Sequence, residues 1–296
     1  LKATVRAFGG FALVALGEGF CEMALDGGPL MQPKDVLKVA EARFTDAITL
    51  GTQASSADIV NMALVGRARV RLDLGDFAGS IADASKVPPG YVKNVTRDES
   101  DPRRYNAICE YITCSQGRHA SVAPNYRGLT WGGVPDPRVK ITTSGRLGFD
   151  NATPHYFPAD KFTARSNPLL LASYKEAQLF IAEASARTGD LATARKIINA
   201  FHTAANIPAY DAAGAETQDQ VIAQVIEERR RELFLEGGHR LNDHLRFRGT
   251  KWNIPFRGEP GSIHPNAVDH TGVPYGNTTC FALPVVERTG NPNIKT

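Results

Sequence analysis

Apolar residues recur every three or four positions in two blocks of the chain, residues 1–87 and 169–248. This spacing places apolar side chains along one face of an α-helix, so each run predicts a helix. The segments with the pattern are 1–16, 33–50, 57–74, 170–188, 218–236 and 239–247. The chain is therefore predicted to be mainly α-helical, with the two blocks forming a helical scaffold.

The dipeptide Gly-Asp follows two of these segments, as Gly75-Asp76 and as Gly189-Asp190. Glycine adopts the left-handed backbone conformation that ends a helix, and an aspartate after it caps the free amides of the next helix. Each dipeptide precedes a second run rich in alanine, whose small side chains allow two helices to pack closely. Such hairpins stack into tetratricopeptide-like arrays, because one hairpin cannot bury both of its faces. Taken alone, the two stretches leave open a chance similarity between unrelated hairpins.

A third hairpin is predicted from residues 218–236 and 239–247, with two glycines between them. Its first helix contains the charged run EERRRE, in which Glu227 and Arg231 stand four residues apart. Oppositely charged residues at this spacing form an ion pair along the helix. The three hairpins together predict an α-superhelical scaffold.

Residues 88–168 and 249–296 interrupt the helical pattern. They are rich in proline, glycine and aromatic residues, and the two most strand-like stretches are 139–143 and 156–162. Irregular segments of this length are usually functional or disordered, and the aromatic residues favour order. We therefore expect a single domain over residues 1–296, in which a large loop-rich layer with a few short strands covers the helical scaffold.

Composition narrows the range of partners for this 296-residue chain. Its formal net charge of +3 is not concentrated in a basic block, which argues against binding of nucleic acid or of an anionic membrane surface. No apolar run reaches the length that spans a bilayer. Residue 1 is a leucine within a helical pattern, so we expect further sequence upstream, where a targeting signal and a lipid-anchoring cysteine would lie.

The chain has four cysteines. Cys21 and Cys280 lie in glycine- and proline-rich segments near opposite ends, and a disulfide between them would close a long loop. The sequence does not decide between that bond and free thiols. Cys109 and Cys114 have no histidine pair nearby, so no metal site is expected, and their redox state stays open.

The stretch EERRRELFLEGGHRLNDHLRF resembles the SusD/RagB-like family, which carries an ER-x-x-EL-x-x-EG-x-R-x-x-D-x-x-R pattern. Further similarity occurs at 136–140, 160–184 and 284–293. The chain departs from the pattern by one extra residue between Gly237 and Arg240, and by Ser173, where the family usually has arginine. The matching residues are Glu228, Arg229, Glu232, Leu233, Glu236, Gly237, Arg240, Asp243 and Arg246.

The resemblance implies tetratricopeptide-like hairpins with an irregular second layer, attached by lipid to the outer membrane at the cell surface. It implies a SusC-like TonB-dependent transporter as partner, and an oligosaccharide or another nutrient as cargo. Neither catalysis nor a cofactor is implied. In agreement, the sequence contains no Walker-type loop, dinucleotide fingerprint or GxSxG elbow.

The charged motif itself favours a structural role. Paired carboxylates can perform general acid/base chemistry, but carboxylates and arginines around a Gly-Gly corner more simply form a partly buried ion network between two helices. His239 and His244 are expected to be structural, since their spacing does not suit a shared metal. The residues assigned to this network are Glu228, Arg231, Glu232, Glu236, Arg240 and Asp243.

A sugar site needs flat aromatic faces together with amide, carboxylate or guanidinium groups that satisfy hydroxyls. The stretch NYRGLTWGG supplies both kinds of group within nine residues. The alternative is that aromatic residues in such loops only fix the loops onto the scaffold. The candidate ligand-binding residues are Asn125, Tyr126, Arg127 and Trp131, followed by Tyr156 and Trp252.

These observations favour a non-catalytic surface protein that captures a nutrient, with a glycan as the expected cargo, and delivers it to a transporter. The alternative is a tetratricopeptide-like structural or protein-interaction element without small-molecule cargo. An enzyme is the least favoured hypothesis.

Overall fold

The computed structural model of the protein describes residues 1–211, 213–263 and 268–294. Its regular structure is mainly helical, as the sequence predicts. The helices are α1 (Lys2–Gly19), α2 (Pro33–Gln53), α3 (Ala57–Leu74), α4 (Phe77–Ala84), α5 (Tyr174–Thr188), α6 (Leu191–Ala204), α7 (Gln218–Glu232), α8 (His239–Arg246) and α9 (Val285–Gly290). The strands are β1 (Met23–Ala24), β2 (Leu30–Met31), β3 (Val92–Val95), β4 (Thr130–Trp131), β5 (Val134–Pro135), β6 (Ile141–Leu147), β7 (Pro154–Pro158) and β8 (Leu169–Ser173).

Neighbouring helices of the scaffold pack against one another around a shared core. Helix α1 contacts α2 and α3, α3 contacts α4, and α5 contacts α3, α4, α6 and α7. The ring of Phe44 on α2 lies at the centre of this core, where α1 and α3 approach it closely. A Cβ atom would lie 2.6 Å from that ring at Gly10 and 2.3 Å from it at Gly66. The two glycines therefore allow both helices to close on one aromatic side chain.

A buried ion cluster around Arg69 of α3, the Arg69 junction, connects four helical segments. Arg69 donates to Glu18 of α1 at 2.6 Å and to the carbonyl of Gly237 before α8 at 2.7 Å, and it lies 3.5 Å from Glu176 of α5. Burial raises the pKa of Glu176 to about 7, although Arg69 opposes the shift. His239 lies 3.1 Å from Glu176, and its pKa is lowered by burial and by Arg69. The junction thus has a structural role.

The two Gly-Asp corners have the geometry that the sequence predicts. Gly75 and Gly189 end α3 and α5 in the left-handed conformation, with φ angles of 83° and 92°. The carboxylate of Asp76 accepts from the backbone N–H of Gly79 at 2.9 Å, and Asp190 accepts from Thr193 at 3.1 Å. Each corner therefore ends one helix and caps the next, which produces matching hairpins.

We expect Gly189→Ala to lower the free energy of unfolding by about 1–2 kcal/mol, because an alanine pays the steric cost of a left-handed conformation. Gly9→Ala is the matched control: Gly9 lies within α1 and has open space at its Cβ position. Since alanine is the better helix former, this control should gain about 0.5–1 kcal/mol. Urea unfolding of both variants measures the difference. Equal effects in the two variants would contradict the assigned role of the corner.

The segment 169–173 differs from the prediction, which placed it in a helix. It forms strand β8, which pairs antiparallel with β3, and α5 begins only at Tyr174. A short apolar run such as LLLAS fits a strand as well as a buried helix, so the local pattern could not distinguish them. The side chain of Ser173 accepts from the backbone N–H of Glu176 at 3.1 Å. The serine that replaces the expected arginine therefore caps α5.

Two other boundaries differ from the prediction. Helix α7 ends at Glu232 rather than at residue 236, and the following turn contains Leu235 with a φ angle of 59°. This turn places Phe234 in a small apolar cluster with Val122 and Val139 of the irregular layer. Helix α9, in the tail that was predicted to be irregular, has only six residues and is too short to produce a periodic pattern.

The described residues form four two-stranded sheets, of which β4–β5 and β6–β7 lie within the irregular layer together with short helical turns. Strand β6 pairs antiparallel with β7, and Thr143 lies opposite Tyr156. This hairpin confirms the predicted strand pair, although both strands are shifted by a few residues.

Two disulfides connect the four cysteines. Cys21 and Cys280, with their Cα atoms 5.2 Å apart, join the end of α1 to the C-terminal tail. Cys109 and Cys114, with Cα atoms 5.1 Å apart, close a π-helical turn. Backbone hydrogen bonds reinforce the first connection, since Phe281 donates to Gly19 at 2.8 Å and accepts from Cys21 at 2.9 Å. In the part of the chain that the structure describes, none of the helices combines the length and apolarity needed to span a membrane.

Candidate functional site

The charged motif of α7 attaches the irregular layer to the helical scaffold. Arg138 of the layer donates to Asp136 at 2.7 Å and to Glu228 of α7 at 2.6 Å, and Glu232 lies 3.7 Å away. Arg231 of α7 binds the same Asp136 at 3.0 Å. Burial opposes ionisation of Asp136, but hydrogen bonds from Arg138 and Arg231 lower its pKa to about 2. The carboxylates therefore act as fixed acceptors in a structural clamp.

Further contacts extend this clamp in both directions. Arg231 also pairs with Glu227 at 2.7 Å, the intrahelical pair that the sequence predicts. Glu236 pairs with Lys161 of the irregular layer. On the scaffold side, Asp243 of α8 accepts from Arg229 at 3.0 Å and from Arg246 at 2.7 Å. The motif thus forms a continuous network in which carboxylates form ion pairs with arginine and lysine side chains.

Arg240 does not share in this network, which corrects the assignment made from the sequence. Among the described residues it forms no ion pair, and its Nη1 atom is buried without a hydrogen-bond partner. Burial lowers its pKa, and the nearby Tyr126 and Asp243 offset only part of this effect. The motif position alone could not reveal this, because the sequence pattern does not specify which carboxylate an arginine contacts.

A cleft lies beside Arg240, between α8, the turn after α7 and the irregular layer. We call it the Arg240 cleft, and it has two lobes of about 320 and 450 Å³. The first lobe extends towards Ile112, Ser121 and Phe234, and the second towards His244, Phe256 and Arg257. Both lobes are lined by Ala123, Tyr126, Arg240 and Leu241. Their volumes lie within the range of roughly 300–1,000 Å³ that is typical of small-molecule sites.

Several polar groups at the cleft have unused hydrogen-bonding capacity. Asn125 Oδ1 and Arg229 Nη1 are buried without a partner, as is Arg240 Nη1. Burial raises the pKa of Tyr126, whose ring packs 5.0 Å from that of Phe234. Burial and the charge of Arg240 lower the pKa of His244, which keeps its imidazole neutral near pH 7. Tyr126 and His244 line the cleft and can orient a polar ligand, whereas the three unpaired atoms have no exposed surface.

The predicted ligand-binding residues separate into two groups. Asn125 and Tyr126 line the Arg240 cleft. Arg127 instead donates to the carbonyl of Val122 at 2.7 Å and stacks 3.8 Å above the ring of Tyr156. These two side chains hold loops of the irregular layer together.

The two tryptophans also make packing contacts. Trp131 is partly buried, with its ring 4.9 Å from that of His202 and 6.1 Å from that of Tyr210. Trp252 packs against the same main core, 6.4 Å from the ring of Phe247. The structure brings neither tryptophan together with Tyr126 in a single ring stack. That Trp131, Tyr156, Arg127 and Trp252 contact a glycan stays a prediction.

Three exposed rings in the irregular layer lie side by side, and the sequence did not predict this grouping. The His119 ring lies 6.0 Å from that of Tyr111 and 5.0 Å from that of Phe149. Tyr111 and Phe149 are 56% and 69% exposed. We call these three residues the aromatic platform. Aromatic residues in loops were a visible signal, but their common surface depends on tertiary pairing between distant segments.

The described residues contain no group of histidine, cysteine or acidic side chains arranged to hold a metal ion. The irregular layer combines exposed aromatic rings with a cleft lined by polar side chains.

Comparison with known proteins gives a consistent result. The SusD family model matches residues 90–277. A SusD-like carbohydrate binding protein from Bacteroides vulgatus is 16% identical, with a TM-score of 0.70 over 99% of this chain and 76% of that chain. A SusD superfamily protein from Parabacteroides distasonis is 13% identical, with a TM-score of 0.65 over 99% of this chain and 77% of that one.

Surface glycan-binding protein A from Bacteroides uniformis is 15% identical, with a TM-score of 0.59 over 98% of this chain and 76% of that chain. No curated protein matches the sequence. At such low identities the structural likeness establishes the fold alone. The family model, however, covers more than half of the chain, and the protein therefore belongs to the SusD family.

Proposed function

We propose that this protein is a non-catalytic glycan-binding protein of the cell surface, which captures an oligosaccharide and delivers it to a TonB-dependent transporter in the outer membrane. The aromatic platform is the observation that carries the glycan-binding part. Exposed rings are costly to leave in water, and contiguous apolar surface commonly marks a binding site. Flat rings fit the apolar faces of pyranose sugars, whose hydroxyls remain free to meet polar groups at the edges.

The platform is held in place before any ligand arrives. The disulfide between Cys109 and Cys114 closes the turn that contains Tyr111. Ala120 donates to the carbonyl of Tyr111 at 3.0 Å, and Phe149 donates to that of Arg118 at 3.2 Å. These contacts connect the three segments that contribute the rings. Binding would therefore cost little additional ordering of the backbone.

The clamp around Asp136 is poorly suited to general acid catalysis. General acid catalysis requires a carboxyl group that holds a proton near neutral pH. Asp136 is instead kept ionised by Arg138 and Arg231, and Glu228 accepts from Arg138 at 2.6 Å. Membership of the SusD family supports both the location at the cell surface and the delivery to a transporter. Co-purification of this protein with a TonB-dependent transporter from outer membranes would test the delivery step.

We expect Tyr111→Ala and Phe149→Ala each to weaken oligosaccharide binding about five- to tenfold, because each removes one stacking surface worth roughly 1 kcal/mol. Isothermal titration calorimetry against a panel of oligosaccharides measures the affinities. Val286→Ala is the control, since Val286 on α9 is an equally exposed apolar side chain outside the platform.

If both platform variants keep the parent affinity and the parent melting temperature, the platform does not bind the oligosaccharide. If no saccharide in the panel raises the melting temperature of the parent protein, the structural or protein-interaction alternative is favoured.

A further inference from the structure

Arg240 differs from the neighbouring arginines because it forms no ion pair with a described residue. Arg230 pairs with Glu227 at 2.6 Å and Arg229 with Asp243 at 3.0 Å. Arg240 has no ion pair with any residue that the structure describes, and its Nη1 is buried without a partner. A desolvated guanidinium costs free energy unless acceptors surround it. Since Nη1 has no exposed surface, a ligand would meet the other atoms of Arg240 that line the two lobes of the cleft.

The second lobe of the cleft has an excess of positive charge. Arg240 and Arg257 line it, and no carboxylate does so among the described residues. An anionic group entering this lobe would meet two guanidinium groups, while the carboxylates of Asp243 and Glu259, which act on His244, stand outside the lining.

Arg229 provides a second, independent observation at the first lobe. It is only 2% exposed, and its Nε and Nη2 atoms donate to Asp243. Its Nη1 is buried without a partner, and the residue lines the lobe. Arg229 and Arg240 thus both line the first lobe, together with the carboxylates of Glu236 and Asp243.

We infer that the Arg240 cleft binds an acidic sugar, with the sugar carboxylate held by Arg240. This inference rests on the proposed glycan binding and adds the chemical class of the cargo. The planar fork of an arginine matches a carboxylate through two parallel hydrogen bonds. The rings of Tyr126 and Phe256 offer flat surfaces on the walls of the 450 Å³ lobe.

His244 fits a sugar hydroxyl in the same lobe. Its Nδ1 lies 2.9 Å from the carbonyl oxygen of Ile254, so Nδ1 carries the proton and donates. In the neutral ring Nε2 is then an acceptor, which suits a hydroxyl donor. The lobe therefore combines a cation for the carboxylate with an acceptor for a neighbouring hydroxyl.

The test compares a trisaccharide of galacturonic acid with the galactose trisaccharide of the same linkage, by titration calorimetry at low ionic strength. In the parent protein the acidic trisaccharide should bind at least about tenfold tighter, since one desolvated charge pair distinguishes the two ligands. Arg240→Gln should abolish this preference, and Arg240→Lys should retain part of it because lysine keeps the charge without the fork. Arg103→Gln makes the same charge change at a side chain that is 89% exposed, and it should keep the full preference.

The melting temperature separates binding from folding. Because Arg240 lacks an ion pair, Arg240→Gln should melt no lower than the parent protein. Equal binding of both trisaccharides by the parent, no binding of the acidic one, or a preference that survives in Arg240→Gln would overturn the inference. Binding of acetate as tight as that of the acidic trisaccharide would also overturn it, since the site would then recognise a free anion. The platform variants test the proposed function separately, because Phe149→Ala leaves Arg240 in place.

Discussion

Replacing Cys21 and Cys280 together with serine should lower the free energy of unfolding by about 5 kcal/mol, near the upper limit for one disulfide. The bond joins residues separated by 259 positions, so it restricts nearly the whole unfolded chain. In the chain-entropy model such a long loop gives the largest stabilisation. The native contacts of the tail, including the ring of Phe281 at 5.6 Å from that of Phe20, should be too weak alone to keep it in place.

The natural control is the other disulfide of the same chain. Cys109 and Cys114 are separated by only 5 positions, and their double replacement should cost about 2 kcal/mol in the same model. Urea unfolding followed by circular dichroism gives both values under identical conditions. Similar losses in the two double variants would show that loop length does not set the stability of this protein.

Arg138→Met should lower the free energy of unfolding by about 3 kcal/mol, since it removes the cation shared by two buried carboxylates. The side chains of Asp136 and Glu228 are both 0% exposed, and both bind Arg138. The irregular layer should loosen before the scaffold does, because Arg138 connects the two. Tryptophan fluorescence reports on the layer, which contains both Trp131 and Trp252, and far-ultraviolet circular dichroism reports on the helices, so the two signals should separate in the variant.

The effect of Arg138→Met should also depend on pH. The folded pKa of Asp136, about 2, lies below its unfolded value, so this group stabilises the fold above about pH 4 and ceases to do so as pH falls through 2. The variant loses a hydrogen bond that lowers this pKa. The difference in stability between parent and variant should therefore shrink between pH 4 and pH 2.

Arg103→Met provides the control for a salt bridge without burial. Arg103 pairs with Asp101 at 2.7 Å, but its side chain is 89% exposed, so the loss should be near zero. If Arg138→Met unfolds at the same urea concentration as Arg103→Met, the clamp does not stabilise the fold.

The helical scaffold could be predicted from the sequence because its determinants are local. The boundaries of α3 follow from its apolar stripe and from Gly75, and the hairpin corners follow from Gly-Asp. Strand β8 could not be predicted, because its apolar residues have a strand partner, β3, that lies far away in the sequence. Local periodicity carries no information about such a partner.

The candidate site was predictable only in part. Asn125 and Tyr126 stood out by composition, and both line the cleft. Arg240 belonged to a charged motif, and only the structure reveals that it lacks the carboxylate partner that Arg138 and Arg231 have. Likewise, Tyr111 and Phe149 became neighbours of His119 through loop packing that no spacing in the sequence specifies.

The Arg69 junction has a consequence for the order of events during synthesis. Arg69 and its partner Glu18 leave the ribosome early, yet the carbonyl of Gly237 that completes the arrangement is translated 168 residues later. Contacts between such distant positions form slowly, because the intervening chain must first be organised. Helices α1 to α4 therefore lack this connection to Gly237 until residue 237 has been added, and the Arg69 junction is complete only once most of the described residues have been made.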